Sequence, residues 1–173
     1  MPQMAADDVL DFLTLMDANG IHVWLDGGWA VDACLGSQTR RHADLDIVVE
    51  ERDAAAAVAL LLDRGYGPVP GRGAAAWNFV LGDGVGHEVD LHVVAFDERG
   101  DGVLGAPEDG LRYPAGSLTG TGMVGGRVVA CVTPEWQVRF RSGYEPDADD
   151  WADVSALCER FAIPVPEAYR RFM

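Results

Sequence analysis

Asp44 and Asp46 flank Leu45 at the front of an apolar run, Ile47-Val48-Val49, and this stretch constrains the fold of the 173-residue chain more than any other. Successive residues of a strand face opposite ways, so both aspartates point to one face while Leu45, Ile47 and Val49 point to the other. One face must therefore be buried, and the other must carry two neighbouring carboxylates. Side by side, each carboxylate raises the pKa of the other unless a cation neutralises the pair. A hard divalent cation such as Mg²⁺ does so with one or two carboxylates and keeps positions open for phosphate oxygens. Taken alone, Asp44 also fits a plain strand-end aspartate. Asp46 fits that alternative poorly, because an unpaired charge between Leu45 and Ile47 is costly in a central strand.

Two further features flank this one. Upstream, the strand-like His22-Val23-Trp24-Leu25 runs into Asp26-Gly27-Gly28-Trp29. Downstream, His87-Glu88-Val89-Asp90-Leu91-His92-Val93 alternates, with Glu88, Asp90 and His92 on its polar face. Singly, each has an ordinary reading: a strand-to-helix turn for the glycines, a wet sheet face for Asp90. In this order and spacing they point to metal-assisted nucleotidyl transfer.

The remaining pattern predicts an α+β chain. Helices are expected over Ala6–Asn19, Trp29–Leu35 and Arg52–Arg64, each followed closely by a glycine stop. Ala75–Leu81 and His87–Ala95 flank Gly82-Asp83-Gly84 as a hairpin, and Met123-Val124 with Arg127–Val132 form a second across Gly125-Gly126. The glycine-rich stretch Phe96–Pro114 reads as a loop. Thr133-Pro134-Glu135 opens a helix with a hydroxyl cap, proline at the first position and a carboxylate in the first turn. Another helix starts near Asp149 with Val154, Leu157, Cys158 and Phe161 on one face, and a short one follows Pro166. The expected division is a catalytic sheet unit over 1–132 and a helical region over 133–173, joined in one compact unit.

Composition narrows the function classes. A net charge of −15 argues against nucleic acid as a partner and favours a cationic small substrate or plain solubility. All 13 basic residues are arginine, which excludes a P-loop and any lysine nucleophile. Three scattered cysteines, with no Cys-x-x-Cys, read as reduced and mostly buried thiols. The N-terminus lacks the basic region of a secretory signal, and Ala54–Leu62 is too short to cross a bilayer. A cytoplasmic enzyme without a membrane partner, monomeric or homodimeric, is expected.

Leu25-Asp26-Gly27-Gly28-Trp29-Ala30-Val31-Asp32-Ala33, followed by Gln38-Thr39-Arg40-Arg41-His42-Ala43-Asp44-Leu45-Asp46, resembles the antibiotic nucleotidyltransferases. These are the lincosamide nucleotidyltransferases and the aminoglycoside 2''-adenylyltransferases of the DNA polymerase β-like superfamily. Val89-Asp90-Leu91-His92 resembles their third-carboxylate strand. Gly143-Tyr144 with Pro146, Asp150 and Asp153 resembles the opening of the C-terminal helices in lincosamide-type members. The insert Asp97–Gly122 matches neither antibiotic class.

The resemblance implies a nucleotidyltransferase-type mixed sheet flanked by helices, with the C-terminal helical region packed on it. It implies ATP or another nucleoside triphosphate, two Mg²⁺ ions, and transfer of AMP to a hydroxyl of a small acceptor, cationic on the charge argument. Asp44 and Asp46 would ligate both ions, and Asp90 would complete the ion nearest the acceptor, act as base, or do both; Glu88 and His92 are the other base candidates. Gly27 and Gly28 would approach the triphosphate, and Arg40 would clamp a phosphate. His42 would touch nucleotide or hold its loop. Tyr144 would pack at a helix end or line the acceptor pocket. An antitoxin-type enzyme that modifies a protein partner ranks second, since such proteins are usually shorter and lack the C-terminal helices. A non-catalytic nucleotide-binding protein ranks third, because Asp44, Asp46 and Asp90 are all intact.

Overall fold

The run Leu45–Glu50 lies in the middle of a sheet, where its apolar face requires it to be. The computed structural model describes residues 3–72 and 75–173. Its elements run α1 (Ala6–Ala18), β1 (Val23–Leu25), α2 (Gly27–Leu35), β2 (Leu45–Glu50), α3 (Glu51–Asp63), β3 (Gly67–Pro68), β4 (Asn78–Gly82) and β5 (Glu88–Phe96). There follow β6 (Gly102–Leu104), β7 (Arg112–Tyr113), β8 (Gly120–Val124), β9 (Arg127–Cys131), α4 (Pro134–Arg141) and α5 (Ala148–Phe161). Short 3₁₀ turns stand at Pro107–Asp109, Ala115–Leu118 and Glu167–Phe172.

The strands form one mixed sheet in the order β3-β4-β5-β2-β1-β9-β8. The β2–β5 and β1–β9 pairs are parallel and the others antiparallel. The architecture is therefore the expected α+β mixed sheet with helices. Leu25, Leu45, Ile47, Val49, Val89 and Leu91 are fully buried under α1 and α3, together with Val9, Phe12, Met16 and Leu61. At about 1.5–3 kcal/mol for each buried aliphatic side chain, this face is the main source of stability. Residues 133–173 dock through Val138, Val154, Leu157 and Tyr169 around Val31 of α2. Among the described residues, no helix is long and apolar enough to cross a membrane.

Two sequence expectations need correction. Helix α2 starts at Gly27, two residues before the predicted Trp29, because Asp26 caps it: its Oδ1 accepts the Gly27 N–H at 2.8 Å. The predicted loop over Phe96–Pro114 is largely ordered as a hairpin. Asp97 Oδ1 accepts the backbone N–H of Arg99 and Asp101, both at 2.9 Å, and turns the chain back on itself. Strand β6 then pairs with Val94–Phe96, beyond the end of β4, and β7 pairs with β6. Gly102 suits the close pairing there, since a Cβ would stand 3.2 Å from the Val94 side chain. Strands of three and two residues are too short to leave a readable alternation.

Candidate active site

The parallel register of β2 and β5 sets Asp46 directly against Asp90. His92, two residues further along β5, faces the same way, and ligating atoms of Asp46, Asp90 and His92 lie within 4.8 Å of one another. His92 Nε2 is 3.5 Å from Asp90 Oδ1 and 4.0 Å from Asp46 Oδ1. Asn78 of β4, opposite His92, donates to Asp90 Oδ1 at 2.8 Å. Burial first, then the charges of Asp44, Asp26 and Asp90, push the Asp46 carboxyl up to about 7. Burial opposes charge on His92, but its bond to Asp90 and the Asp26, Asp46 and Asp90 carboxylates outweigh this and raise it to about 9.

Asp44 lies just before β2, and its Oδ2 accepts from Arg72 at 2.8 Å. The other guanidinium nitrogen of Arg72 stands 3.3 Å from Glu88 Oε2. A single arginine thus bridges two of the predicted site carboxylates. The remaining end of the site is the Gly27-Gly28 turn. Gly27 has φ +59°, and a Cβ there would overlap Asp46 Oδ2. A Cβ on Gly28 would overlap the ring of His42 and crowd Arg40. The two glycines let the start of α2 lie against the acid pair and the His42 ring.

Arg40 and His42 are held by partners of their own. Arg40 donates Nε and Nη2 to the two oxygens of Asp153 in α5, each at 3.0 Å. Asp32 of α2 collects the Thr39 N–H at 3.0 Å, the Thr39 hydroxyl at 2.5 Å and His42 Nε2 at 2.5 Å. Thr39, Arg40 and His42 therefore tie the β2 approach to two helices. Tyr144 is exposed, donates to Asp150 at 2.7 Å, and stands outside the cavity that opens beside the acid pair.

That cavity has a volume of about 400 Å³. Asp26, Asn78, His92 and Arg112 are its polar lining, and Trp77, Leu104 and Phe140 are among its walls. Tyr113 of β7 reaches in from the insert and donates to Asp26 Oδ2 at 2.6 Å. A larger cleft of about 580 Å³, along Pro68–Pro70 and Gly82–Glu88, shares none of Asp46, Asp90 and His92. Four residues of this region escape a reading of the sequence: Asp26, Arg72, Asn78 and Tyr113. Asp26 carries a signal, as an Asp-Gly cap before a helix. The other three reach the site through contacts that leave no periodic trace.

A family model described as aminoglycoside-2''-adenylyltransferase matches residues 8–157. A lincosamide resistance protein from Staphylococcus haemolyticus is 27% identical over 145 residues, 84% of this chain and 89% of that protein. A 2''-aminoglycoside nucleotidyltransferase from Escherichia coli is 46% identical over 35 residues, 20% of each chain. Among solved structures, the lincosamide antibiotic adenylyltransferase LnuA, bound to lincomycin, superposes with a TM-score of 0.79 at 24% identity, covering 94% of this chain and 99% of its own. ANT(2'')-Ia in complex with adenylyl-2''-tobramycin follows with a TM-score of 0.69 at 19% identity, covering 90% and 88%. At these identities the structural likenesses speak to the fold.

Proposed function

Because this chain belongs to the aminoglycoside-2''-adenylyltransferase family and is thus a nucleotidyltransferase, we propose that it joins the AMP of ATP to a hydroxyl of a small antibiotic, with release of pyrophosphate. The observation that carries the reading is the Asp46–Asp90 pair set in register beside a cavity of acceptor size. The residues suit a divalent cation: ligating atoms of Asp46, Asp90 and His92 lie within 4.8 Å of one another, and burial followed by like charges drives the Asp46 carboxyl up to about 7, which a bound cation would relieve. Asp44, Asp46 and Asp90 would hold Mg²⁺, which would neutralise the acid cluster and polarise the phosphate under attack.

The protein's own groups then have distinct roles. Gly27 and Gly28 bring backbone to the phosphates at the start of α2, with Arg40 and His42 behind them. Arg72 donates to Asp44 and would be placed to meet a phosphate instead where Asp44 held the cation. Asn78 fixes the Asp90 carboxylate, and Asp90 and His92 meet the acceptor hydroxyl at the polar end of the cavity. Glu88 pairs with Arg72, and Tyr144 supports α5 instead of touching the acceptor.

The cavity favours an acceptor with an apolar arm and few amines, as in a lincosamide, over a polyamine. Its walls include Trp77, Leu104, Leu111 and Phe140. The carboxylate that lines it, Asp26, is engaged by Tyr113, and Arg112 adds a cation to the wall. The test is incubation with ATP and Mg²⁺ and either lincomycin or tobramycin, followed by mass spectrometry. One adenylyl group on lincomycin is the expected product. Adenylyl groups on tobramycin alone would reverse the acceptor choice, and labelling of a protein alone would replace the small-molecule reading.

A further inference from the structure

Residues 97–122, expected from the sequence to match neither antibiotic class, lie within the span that the family model matches; besides the cavity walls Leu104 and Leu111, they bring one hydroxyl to the site. Tyr113 is nearly fully buried at 5% exposure. Its hydroxyl donates to Asp26 Oδ2 at 2.6 Å and lies 2.5 Å from His92 Nδ1. The Asp26 carboxylate can only accept, so the phenol proton points to it, and the phenol oxygen is left as an acceptor towards the imidazole. His92 Nδ1 must then carry a proton. A bond on one ring nitrogen fixes how the other is presented, and here the other, Nε2, looks at Asp90 Oδ1 and Asp46 Oδ1.

We propose that Tyr113 and Asp26 are positioning residues: together they form a strut that locks the His92 ring so that Nε2 addresses the acceptor hydroxyl between the cavity and the acid pair. The strut is well supported at both ends. Asp26 is fixed as the cap of α2 through its other oxygen, at 2.8 Å from the Gly27 N–H. Tyr113 is fixed by β6, by the edge of its ring against Phe140 at 5.5 Å, and by Val48, Val94 and Leu118. The cap of α2, β5 and β7 thus meet at one hydroxyl. The role of β7 is then to set the geometry of the histidine at the acceptor end. The inference rests on the acceptor cavity proposed above, but the strut itself can be observed without any acceptor.

The test uses the full chain labelled with ¹⁵N at histidine. In the free wild-type protein the His92 ring N–H, shielded from water and bonded to Tyr113, should give a protected ¹H–¹⁵N cross-peak, identified by its absence in His92→Gln. Tyr113→Phe keeps the ring and its packing and removes only the hydroxyl. That variant should lose the His92 peak while the His42 ring peak, held by Asp32, persists as a marker of an intact fold. With ATP, Mg²⁺ and lincomycin, kcat should fall on the order of 10- to 100-fold while the KM for lincomycin stays within about twofold, as expected for lost orientation with binding retained. Asp26→Asn, which can still cap α2, should show the same pattern. An unchanged His92 peak in Tyr113→Phe, or a fall expressed in KM with kcat kept, would overturn the proposal. A wild-type protein that adenylylates nothing would overturn the functional reading instead, and the free-protein spectrum would still decide the strut.

Discussion

Asp46 carries the strongest local conflict in the molecule. It shares one face of the sheet with Asp90, has Asp26 and Asp44 nearby, and sits between buried Leu45 and Ile47. Asparagine at this position keeps the shape and removes the charge. Asp46→Asn should lower adenylyl transfer on the order of 10²–10³-fold, while the metal-free melting temperature at pH 8 holds or rises. Near-normal turnover would sink the cation assignment, and a clear drop in melting temperature would make Asp46 a structural residue. Gly27 shows the same constraint from the opposite side. Its φ of +59° alone makes alanine unfavourable, and the new Cβ would also overlap the Asp46 carboxylate. Gly27→Ala should therefore cost about 1–3 kcal/mol in urea unfolding and abolish transfer even where the variant is fully folded. An active Gly27→Ala enzyme would mean that Asp46 can move freely, contrary to its packing.

Between elements, the decisive contacts join α2, the loop before β2, and α5. Asp153 is almost fully buried and accepts from both Arg40 and Arg141. Asp153→Asn touches no group at the acid pair, yet it should destabilise by about 1–3 kcal/mol, since two guanidinium groups lose their shared charged acceptor. Arg40→Ala should lower the melting temperature as well, because Asp153 then keeps only Arg141. If Arg40→Ala melted like the wild type and changed only the KM for ATP, its bond to α5 would be incidental. These elements also mark what sequence can and cannot disclose. Helix α3 was legible because a 13-residue helical run ends at a glycine stop, and α5 because Val154, Leu157, Cys158 and Phe161 share one face. The facing of Asp46 and Asp90 was legible because both lie in alternating runs. The β6–β7 hairpin was not, because no alternation develops in strands so short. Nor was the Asp26–Tyr113 bond, which spans 87 residues with no pattern linking its ends.

For the whole molecule, the question is what a net charge of −15 does. Little of the acidic stretch after Tyr144 is free to attract an acceptor. Glu145 pairs with Arg171, Asp147 and Asp150 form the capping box of α5, and Asp153 binds Arg40. The acid cluster at β2 and β5 is the part of the charge that titrates usefully. The Asp46 carboxyl stands at about 7 when folded against an ordinary 3.8, so the folded state binds an extra proton between those values and loses stability as pH rises through them. His92 stands at about 9 against an ordinary 6.5; its contribution is full below 6.5 and is lost as pH rises through 9. Both groups act in the same direction, so the metal-free protein should lose stability between about pH 4 and pH 9 on their account. A cation bound at the cluster would reverse that loss. It stabilises by about 2.7 kcal/mol when present at a hundredfold over its dissociation constant. Millimolar Mg²⁺ should therefore raise the melting temperature more at pH 8 than at pH 5, and more than NaCl at the same ionic strength. In Asp46→Asn the difference between the two salts should shrink. Equal gains from both salts at both pH values would mean that the charge is diffuse and merely screened, and that these carboxylates hold no ion.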